Sequence, residues 1–405
     1  MKFFNVKSVE ETKKLIKNNL NKSFFSSIET NLFDSLGEIV SKDILSPEIS
    51  PLYNRSTVDG FAVCAQDTFA CSSSIPAFLK IVGKIKIGEN PTFDIHPGEA
   101  AEIVTGATIP NGATGVVMVE NVDVIKDTIA VNSPIKPNEN IIKAGEEISI
   151  GQKIVKKGEF VTPLKIGVLS SIGITSIPTY RKIKIGIIST GDELVDISCK
   201  AENGKIRDVN TGLLASYIKE CGMEVSYSKR IKDNLSLLKE EIIRALEISD
   251  ILLLSGGSSI GSRDYTATAF EELGTILLHG LGMKPGKPTI LALIQNKLVF
   301  GLPGNPFAAF LVFKELCINS INELKGHINT PFTYATITSN IHSTPGRKTL
   351  QPVKIEFKDG KIFASPVYLK SSHLATMLNS DGYVKIDTNE EGIYEGAFVP
   401  VYSFY

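Results

Sequence analysis

Between residues 182 and 326 short apolar runs alternate with amphipathic segments, and this alternation constrains the fold more than any other feature of the chain. Strand-like runs cover 183–189, 224–231, 251–254, 276–278 and 298–300, with helical patterns at 211–221, 234–247, 265–273 and 306–322 between and after them. Strands buried on both faces and joined by helices form a parallel sheet, so a Rossmann-like three-layer α/β domain over 181–327 is expected. Ligands of such sheets bind at the carboxyl ends of the strands, which directs attention to the loops there.

The flanks read differently. Residues 8–42 are read as helical, with Val9, Leu15, Ile16 and Leu20 on one stripe and Leu32, Leu36 and Val40 on a second. Ser8 stands as N-cap with Glu11 three residues on. From 51 to 140 short β-branched runs (78–86, 101–104, 116–120, 128–131) are separated by Pro and Gly, a β-rich insert. Residues 163–169 return to an apolar stretch that can pack on the N-terminal helices. A discontinuous linker or dimerisation domain (1–50 and 141–180), interrupted by the insert (51–140), is therefore expected. After 327 strand-like runs at 332–338, 350–357, 361–366 and 382–386 resume, with a turn at Lys358-Asp359-Gly360-Lys361, and a C-terminal β-barrel-like domain over 328–405 follows.

The loops of the α/β region carry the chemistry. The strand at 251–254 runs into Ser255-Gly256-Gly257-Ser258, then Arg263-Asp264, and opens a helix. Glycines admit close backbone approach, hydroxyls donate, and a helix N-terminus favours an anion, which makes a phosphate cradle. It has neither the P-loop lysine nor dinucleotide glycine spacing. A Gly-rich turn without ligand is the competing reading. The loop Ser189-Thr190-Gly191-Asp192-Glu193 puts two acids at the same end of the sheet, joined by Asp208, Asp233 and Asp264. Each singly can be no more than a helix cap. Gathered beside phosphates, such acids need a hard cation such as Mg²⁺ between them. Lys284 and Lys287, set by Pro285, Gly286 and Pro288, suit a small oxyanion, though a solvated turn explains them equally. In Gly301-Leu302-Pro303-Gly304-Asn305-Pro306, Asn305 and Pro306 also read as N-cap and first residue of a helix.

Composition narrows the function. Forty-three Lys and Arg against 44 Asp and Glu leave a net charge of −1, so no general field for nucleic acid or anionic membrane exists. The five cysteines form no Cys-x-x-Cys or Cys/His metal spacing, and the five histidines do not cluster. No apolar run reaches the roughly 20 residues that span a bilayer, and the first twenty residues carry no leader pattern. A reduced, cytoplasmic compartment is expected.

Taken in order, these motifs resemble the molybdopterin molybdenumtransferase family, whose eukaryotic relative is the second half of gephyrin. The resemblance runs through Ser56-Thr57-Val58-Asp59-Gly60-Phe61-Ala62, Thr105-Gly106-Ala107-Thr108-Ile109-Pro110, the 189–194 loop, Asp208-Val209-Asn210, the 256–264 loop, 284–288 and 301–306. It implies a homodimer whose active site is shared between the α/β domain of one subunit and the Asp59/Thr105 domain of the other. It implies adenylylated molybdopterin and molybdate as substrates, Mg²⁺ as cofactor, AMP as product, and a molybdopterin adenylyltransferase as upstream donor. Asp59, Thr105, Glu193, Asp233 and Asp264 become the catalytic candidates, with Asp233 and Asp264 also on Mg²⁺. Thr190, Gly191, Asp192, Asp208, Asn210, Ser255, Gly256, Gly257, Ser258, Pro303, Gly304 and Asn305 become ligand contacts. Lys284, Lys287, Arg347 and Ser372 would hold molybdate. Pro352 stands where the family carries a second arginine, and Arg347 or Lys348 is the substitute. The readings weighed against this one are a non-catalytic gephyrin-like scaffold, a stand-alone adenylyltransferase (which lacks counterparts of 1–180 and 328–405), and a tungstate-selective paralogue.

Overall fold

A computed structural model describes residues 6–202, 204–256, 265–327, 329–368 and 374–404. Its centre is a six-stranded sheet in the order Glu224–Ile231, Lys184–Thr190, Ile251–Ser255, Lys297–Leu302, Ile290–Ile294, Thr275–His279. The first four strands are parallel, with Ser189 beside Ser255 and Ser255 beside Leu302. Ile290–Ile294 runs antiparallel to both its neighbours. The sequence reading missed this strand, and the sheet is mixed at that edge rather than wholly parallel. Gln295 and Asn296, both at positive φ, turn the chain tightly between two strands.

The two-residue period of these strands divides the core. Ile185, Ile187, Leu253 and Phe300 pack on one face with Leu214, Ile218, Phe310 and Phe313 from the helices Val209–Glu220 and Pro306–Val312 and the π-helical turn Phe313–Ile318. Ile188, Leu252, Leu254 and Val299 pack on the other with Leu238, Ile242, Leu246 and Phe270 from Leu235–Ile248 and Tyr265–Leu273. Each such side chain, fully buried, contributes about 1.5–3 kcal/mol. Asn234 and Asn305 cap their helices by accepting backbone N–H bonds from Leu237 (2.9 Å) and Ala308 (3.0 Å), each about 1 kcal/mol.

The N-terminal helix Val9–Asn19 has the expected capping box between Ser8 and Glu11, and its Val9 and Ile16 join the first α/β core. The second helical stripe does not form. Residues Ser27–Asn31 are a strand paired with Ser176–Tyr180, followed by a single 3-10 turn Phe33–Ser35. Leu32 and Val40 are buried as expected, against Leu169 and Ile177, but Leu36 is exposed. A ladder offered from about 150 residues away overrode local periodicity.

The β-rich region is a six-stranded sheet in the order Gly115–Met118, Gly60–Val63, Glu99–Ile103, Ala77–Ile85, Thr128–Val131, Val122–Ile125. The C-terminal region is a closed five-strand barrel. Lys348–Lys358 pairs with Lys361–Pro366, then Thr333–Ile337, Phe398–Ser403 and Gly382–Ile386 follow, and the last pairs back onto Lys348–Lys358. Asp359 and Gly360 both have positive φ, as the turn sequence requires. Met283–Lys284 extends this barrel's sheet beside Lys348 and Thr349, linking it to the α/β unit.

Candidate active site

Four parallel strands end together, and the loops after two of them meet. Thr190 closes Lys184–Thr190 and its hydroxyl donates to Asp233 Oδ1 at 2.6 Å; the Asp233 amide in turn donates to Asp192 Oδ1 at 3.3 Å. Thus the loops after Lys184–Thr190 and Glu224–Ile231 are tied through two acids. Ser255 closes the neighbouring strand and its Oγ accepts from Asn210 Nδ2 at 2.5 Å. The same amide reaches the Gly304 carbonyl at 2.9 Å, so the start of Val209–Glu220 is fixed to the loop ahead of Pro306–Val312. Asn210 Oδ1 is buried without a partner among the described residues, an acceptor whose desolvation costs about 1–3 kcal/mol unless a ligand donor meets it.

Gly256 is required here by sterics. Its φ is +102° and a Cβ would stand 2.0 Å from the Thr190 carbonyl oxygen, so only glycine lets this turn cross the end of the neighbouring strand. Gly304, by contrast, has open space at the Cβ position.

The remaining candidates divide. Asp208 is nearly buried and caps Val209–Glu220, accepting from Thr211 N (3.1 Å) and Thr211 Oγ1 (2.7 Å); its carboxylate is engaged in holding the helix. Asn305 caps the next helix, and Pro303 before it is buried. Glu193 lies against Gly191, where a Cβ would meet its carboxylate at 2.8 Å. Lys284 is exposed and Lys287 half-buried on the turn beside the barrel strand. Arg347 is exposed. Lys348, the alternative to it, pairs with Glu10 at 2.8 Å and Asp387 at 3.3 Å. Pro352 is buried within its strand, opposite Tyr383. Gly257, Ser258, Asp264 and Ser372 lie outside the described residues.

Asp59 and Thr105 come together on the β-rich sheet. Asp59 Oδ1 accepts both the Thr105 amide (2.7 Å) and its hydroxyl (2.9 Å). These two bonds, the backbone one foremost, hold the carboxyl below the usual range, so it is ionised at neutral pH. Among the described residues no hydrogen bond or ion pair joins this couple to the acid cluster of the same chain.

Two participants, Lys205 and Thr211, escaped sequence reasoning, and Ser189 entered it only as part of its loop. Lys205 Nζ donates to the Asp192 carbonyl at 2.6 Å, and Ser189 Oγ and Thr211 Oγ1 share a 2.7 Å bond beneath Asp208. Thr211, three residues after Asp208, was legible as a capping partner; Lys205 lies in an irregular loop with no pattern to mark it. No helix among the described residues is long and apolar enough to cross a membrane.

Comparison with known proteins agrees with this architecture. Three family profiles match in order: the MoeA N-terminal region (domain I and II) over residues 7–173, a domain described as a "probable molybdopterin binding domain" over 186–323, and the MoeA C-terminal region (domain IV) over 334–404. The chain is 31% identical over 381 residues to the molybdopterin molybdenumtransferase of Haemophilus influenzae, covering 92% of this chain and 93% of that protein. It is 31% identical over 379 residues to the enzyme of the same name from Bacillus subtilis, covering 91% and 88%. The crystal structure of a molybdopterin biosynthesis MoeA protein from Pyrococcus horikoshii superposes with a TM-score of 0.83 at 33% identity, covering 99% of this chain and all of that one. With ordered motifs, whole-length identity and whole-length superposition in agreement, the chain belongs to the molybdopterin molybdenumtransferase family, enzymes of molybdenum cofactor biosynthesis.

Proposed function

We propose that the chain completes the molybdenum cofactor by binding adenylylated molybdopterin, hydrolysing the adenylate with Mg²⁺, placing molybdate on the dithiolene and releasing AMP. The observation that carries this reading is the convergence of Thr190, Asp192, Asp233, Asn210, Ser255 and Gly256 at the carboxyl ends of adjacent parallel strands. Gly256 packs its turn against the Thr190 carbonyl and so holds the ends of the two strands together. The Thr190 hydroxyl orients the Asp233 carboxylate, and Asn210 Oδ1 is an acceptor for a pterin N–H.

The donors fit Mg²⁺, which takes one or two carboxylates and completes its shell with substrate phosphates and water. Among the described residues no three His, Cys, Asp or Glu side chains gather into a closed metal site. Asp233 would hold the ion, which neutralises charge on the phosphoanhydride as it breaks. Lys284, Lys287 and Arg347 are assigned to molybdate, and they sit where the α/β unit meets the barrel.

The working unit in this reading is a cytoplasmic homodimer fed by a molybdopterin adenylyltransferase, and Asp59 and Thr105 reach the acid cluster of the partner. Its support is the helix Pro163–Ser171, which leaves Leu164 83% and Val168 40% exposed one turn apart, an apolar face suited to a second copy. Reconstitution with adenylylated molybdopterin, Mg²⁺ and molybdate tests the whole reading. AMP release that needs Mg²⁺ and disappears in Asp233→Ala is expected. Undiminished AMP release by that variant would discard the assignment.

A further inference from the structure

A cavity of about 590 Å³ lies where the N-terminal helix, the helix Asn319–Leu324 and the C-terminal barrel meet, walled by Lys13, Lys17, Asn319, Glu323, Lys385 and Tyr402. Nothing in the reaction proposed above uses it. The helical rod that starts at Pro306, beside the acid cluster, ends at Leu324 and puts Asn319 and Glu323 into this cavity wall. At roughly 1.5 Å per residue its ends are about 25–30 Å apart.

Its charge is one-sided. Lys13 and Lys17, one turn apart on the same helix face, both bind the single carboxylate of Glu323, Lys13 at 3.1 Å. Two ammonium groups on one carboxylate leave net positive charge and most of their N–H donors free. Lys385 adds a third cation, held in place rather than waving in solvent: it pairs with the buried Glu315 at 3.0 Å and lies 4.0 Å over the Tyr402 ring. Burial comes first among the influences on Lys385, and like charge from Lys13 and Lys348 joins it in holding its pKa below the ordinary lysine value despite Glu315. The cations therefore stand close enough to feel one another.

The wall also contains an unanswered donor. Asn319 is 4% exposed and its Nδ2 has no acceptor among the described residues, an arrangement that costs about 1–3 kcal/mol unless something arrives to accept. Asn319 directly follows the π-helical turn Phe313–Ile318. An extra residue in a helical turn rotates everything after it, and such turns recur at functional sites.

We infer that this cavity is a binding site for a small, multiply charged oxyanion of the phosphate type, seated among Lys13, Lys17, Lys385 and the Asn319 amide. Glu323 occupies the two half-buried lysines in its absence and is displaced from them when the anion binds. The inference stands whatever reaction the acid cluster performs.

Equilibrium dialysis of the full chain with radiolabelled inorganic phosphate at low ionic strength is the test, with glycerol phosphate as a second arm to tell a free ion from an esterified one. One saturable site with an affinity of about 1 mM or tighter is expected, and the double variant Lys13→Met, Lys17→Met should weaken it about tenfold or more. Lys385 is left intact because its loss would strand the buried Glu315. Glu323→Gln removes the competing carboxylate and should tighten binding about threefold or more, a gain that no folding defect produces. Absence of a saturable site in the unaltered chain, full binding by the double variant, or failure of Glu323→Gln to tighten would overturn the inference.

Discussion

The acid cluster of the α/β unit and the Asp59–Thr105 couple of the β-rich sheet are built on opposite principles. In the first, each polar group is fixed by another element: Thr190 by Asp233, Asp233 by Asp192, Asn210 by Ser255 and Gly304. In the second, one exposed carboxylate is held by one neighbouring residue, and both bonds come from Thr105. A pre-organised cradle and an exposed, ionised reach fit two halves of a site assembled across subunits. The difference teaches that damage to the first should be structural and catalytic together, and damage to the second catalytic alone.

The largest effect should come from Gly256→Ala. The added Cβ would lie 2.0 Å from a backbone oxygen at a φ of +102°, so neither position nor conformation is permitted. A loss of about 2–3 kcal/mol in urea unfolding, with turnover abolished, is expected. Gly106→Ala, beside Thr105, is the counterpart. Its nearest neighbour is a flexible Ile87 methyl at 3.2 Å and its φ is +83°, so the cost should be about 1 kcal/mol from backbone strain alone. Equal costs at the two glycines would break the contrast.

Next in size come Asp233→Ala and Asp59→Asn, each expected to lower turnover about 100-fold or more; Asp233→Ala, which leaves the Thr190 hydroxyl without its acceptor, should also lower the melting temperature, and Asp59→Asn should leave it unchanged. Mixing the two inactive variants after dissociation sharpens the comparison. If the site is shared, half the dimers are mixed and each of those has one site with both acids intact, so about a quarter of unaltered activity should return. No recovery would place both acids in one subunit's site, or remove Asp59 from the chemistry.

Much of this was legible in the chain itself, for identifiable reasons. Strands buried on both faces leave continuous apolar runs, and Asn234, Asn305 and Pro306 punctuate the helices between them, so the α/β unit and the loops at its strand ends could be placed from residues 182–326. Ile290–Ile294 was missed because its turn is Gln295-Asn296, which lacks the glycine that marks most tight hairpins. Ser27–Asn31 was read as helix because its partner, Ser176–Tyr180, lies far along the chain and no local pattern encodes that pairing. The acids of the candidate site were visible singly. That Thr190 would bind Asp233, or that Lys348 would pair with Glu10, depends on tertiary placement that spacing does not contain.

A smaller effect is expected at Thr105. Thr105→Val removes the hydroxyl bond to Asp59 but keeps the stronger backbone one. The Asp59 pKa should rise part of the way toward the usual carboxylate range, read by carbon-detected NMR titration. In the reconstituted reaction the acidic limb of the pH profile should move up in the same direction. An unchanged Asp59 titration would show that the hydroxyl contributes nothing to it.

The smallest effect concerns Lys348, which stands as a substitute for the missing arginine and pairs with Glu10 and Asp387. In the folded chain Lys348 has a raised pKa: burial opposes this, but the bonds to Glu10 and the charges of Glu10 and Asp387 outweigh it. Glu10 is shifted down, where burial is again the largest influence and the Lys348 bond reverses it. A raised lysine stabilises below its unfolded pKa and loses that contribution as pH rises through the folded value. A lowered carboxylate stabilises above its unfolded pKa and loses that contribution as pH falls through the folded value. The pair therefore contributes across the neutral range and fades at both ends. Because Glu10 is 57% exposed, solvent screening limits the contribution to about 0.2–1 kcal/mol. Lys348→Met should lower the urea midpoint slightly at pH 7, and the difference from the unaltered chain should shrink at pH 3. Molybdate-dependent turnover should be unchanged, since Lys348 is spent on holding the N-terminal helix to the barrel; a rise in the molybdate concentration needed for half-maximal turnover would instead return Lys348 to the oxyanion site.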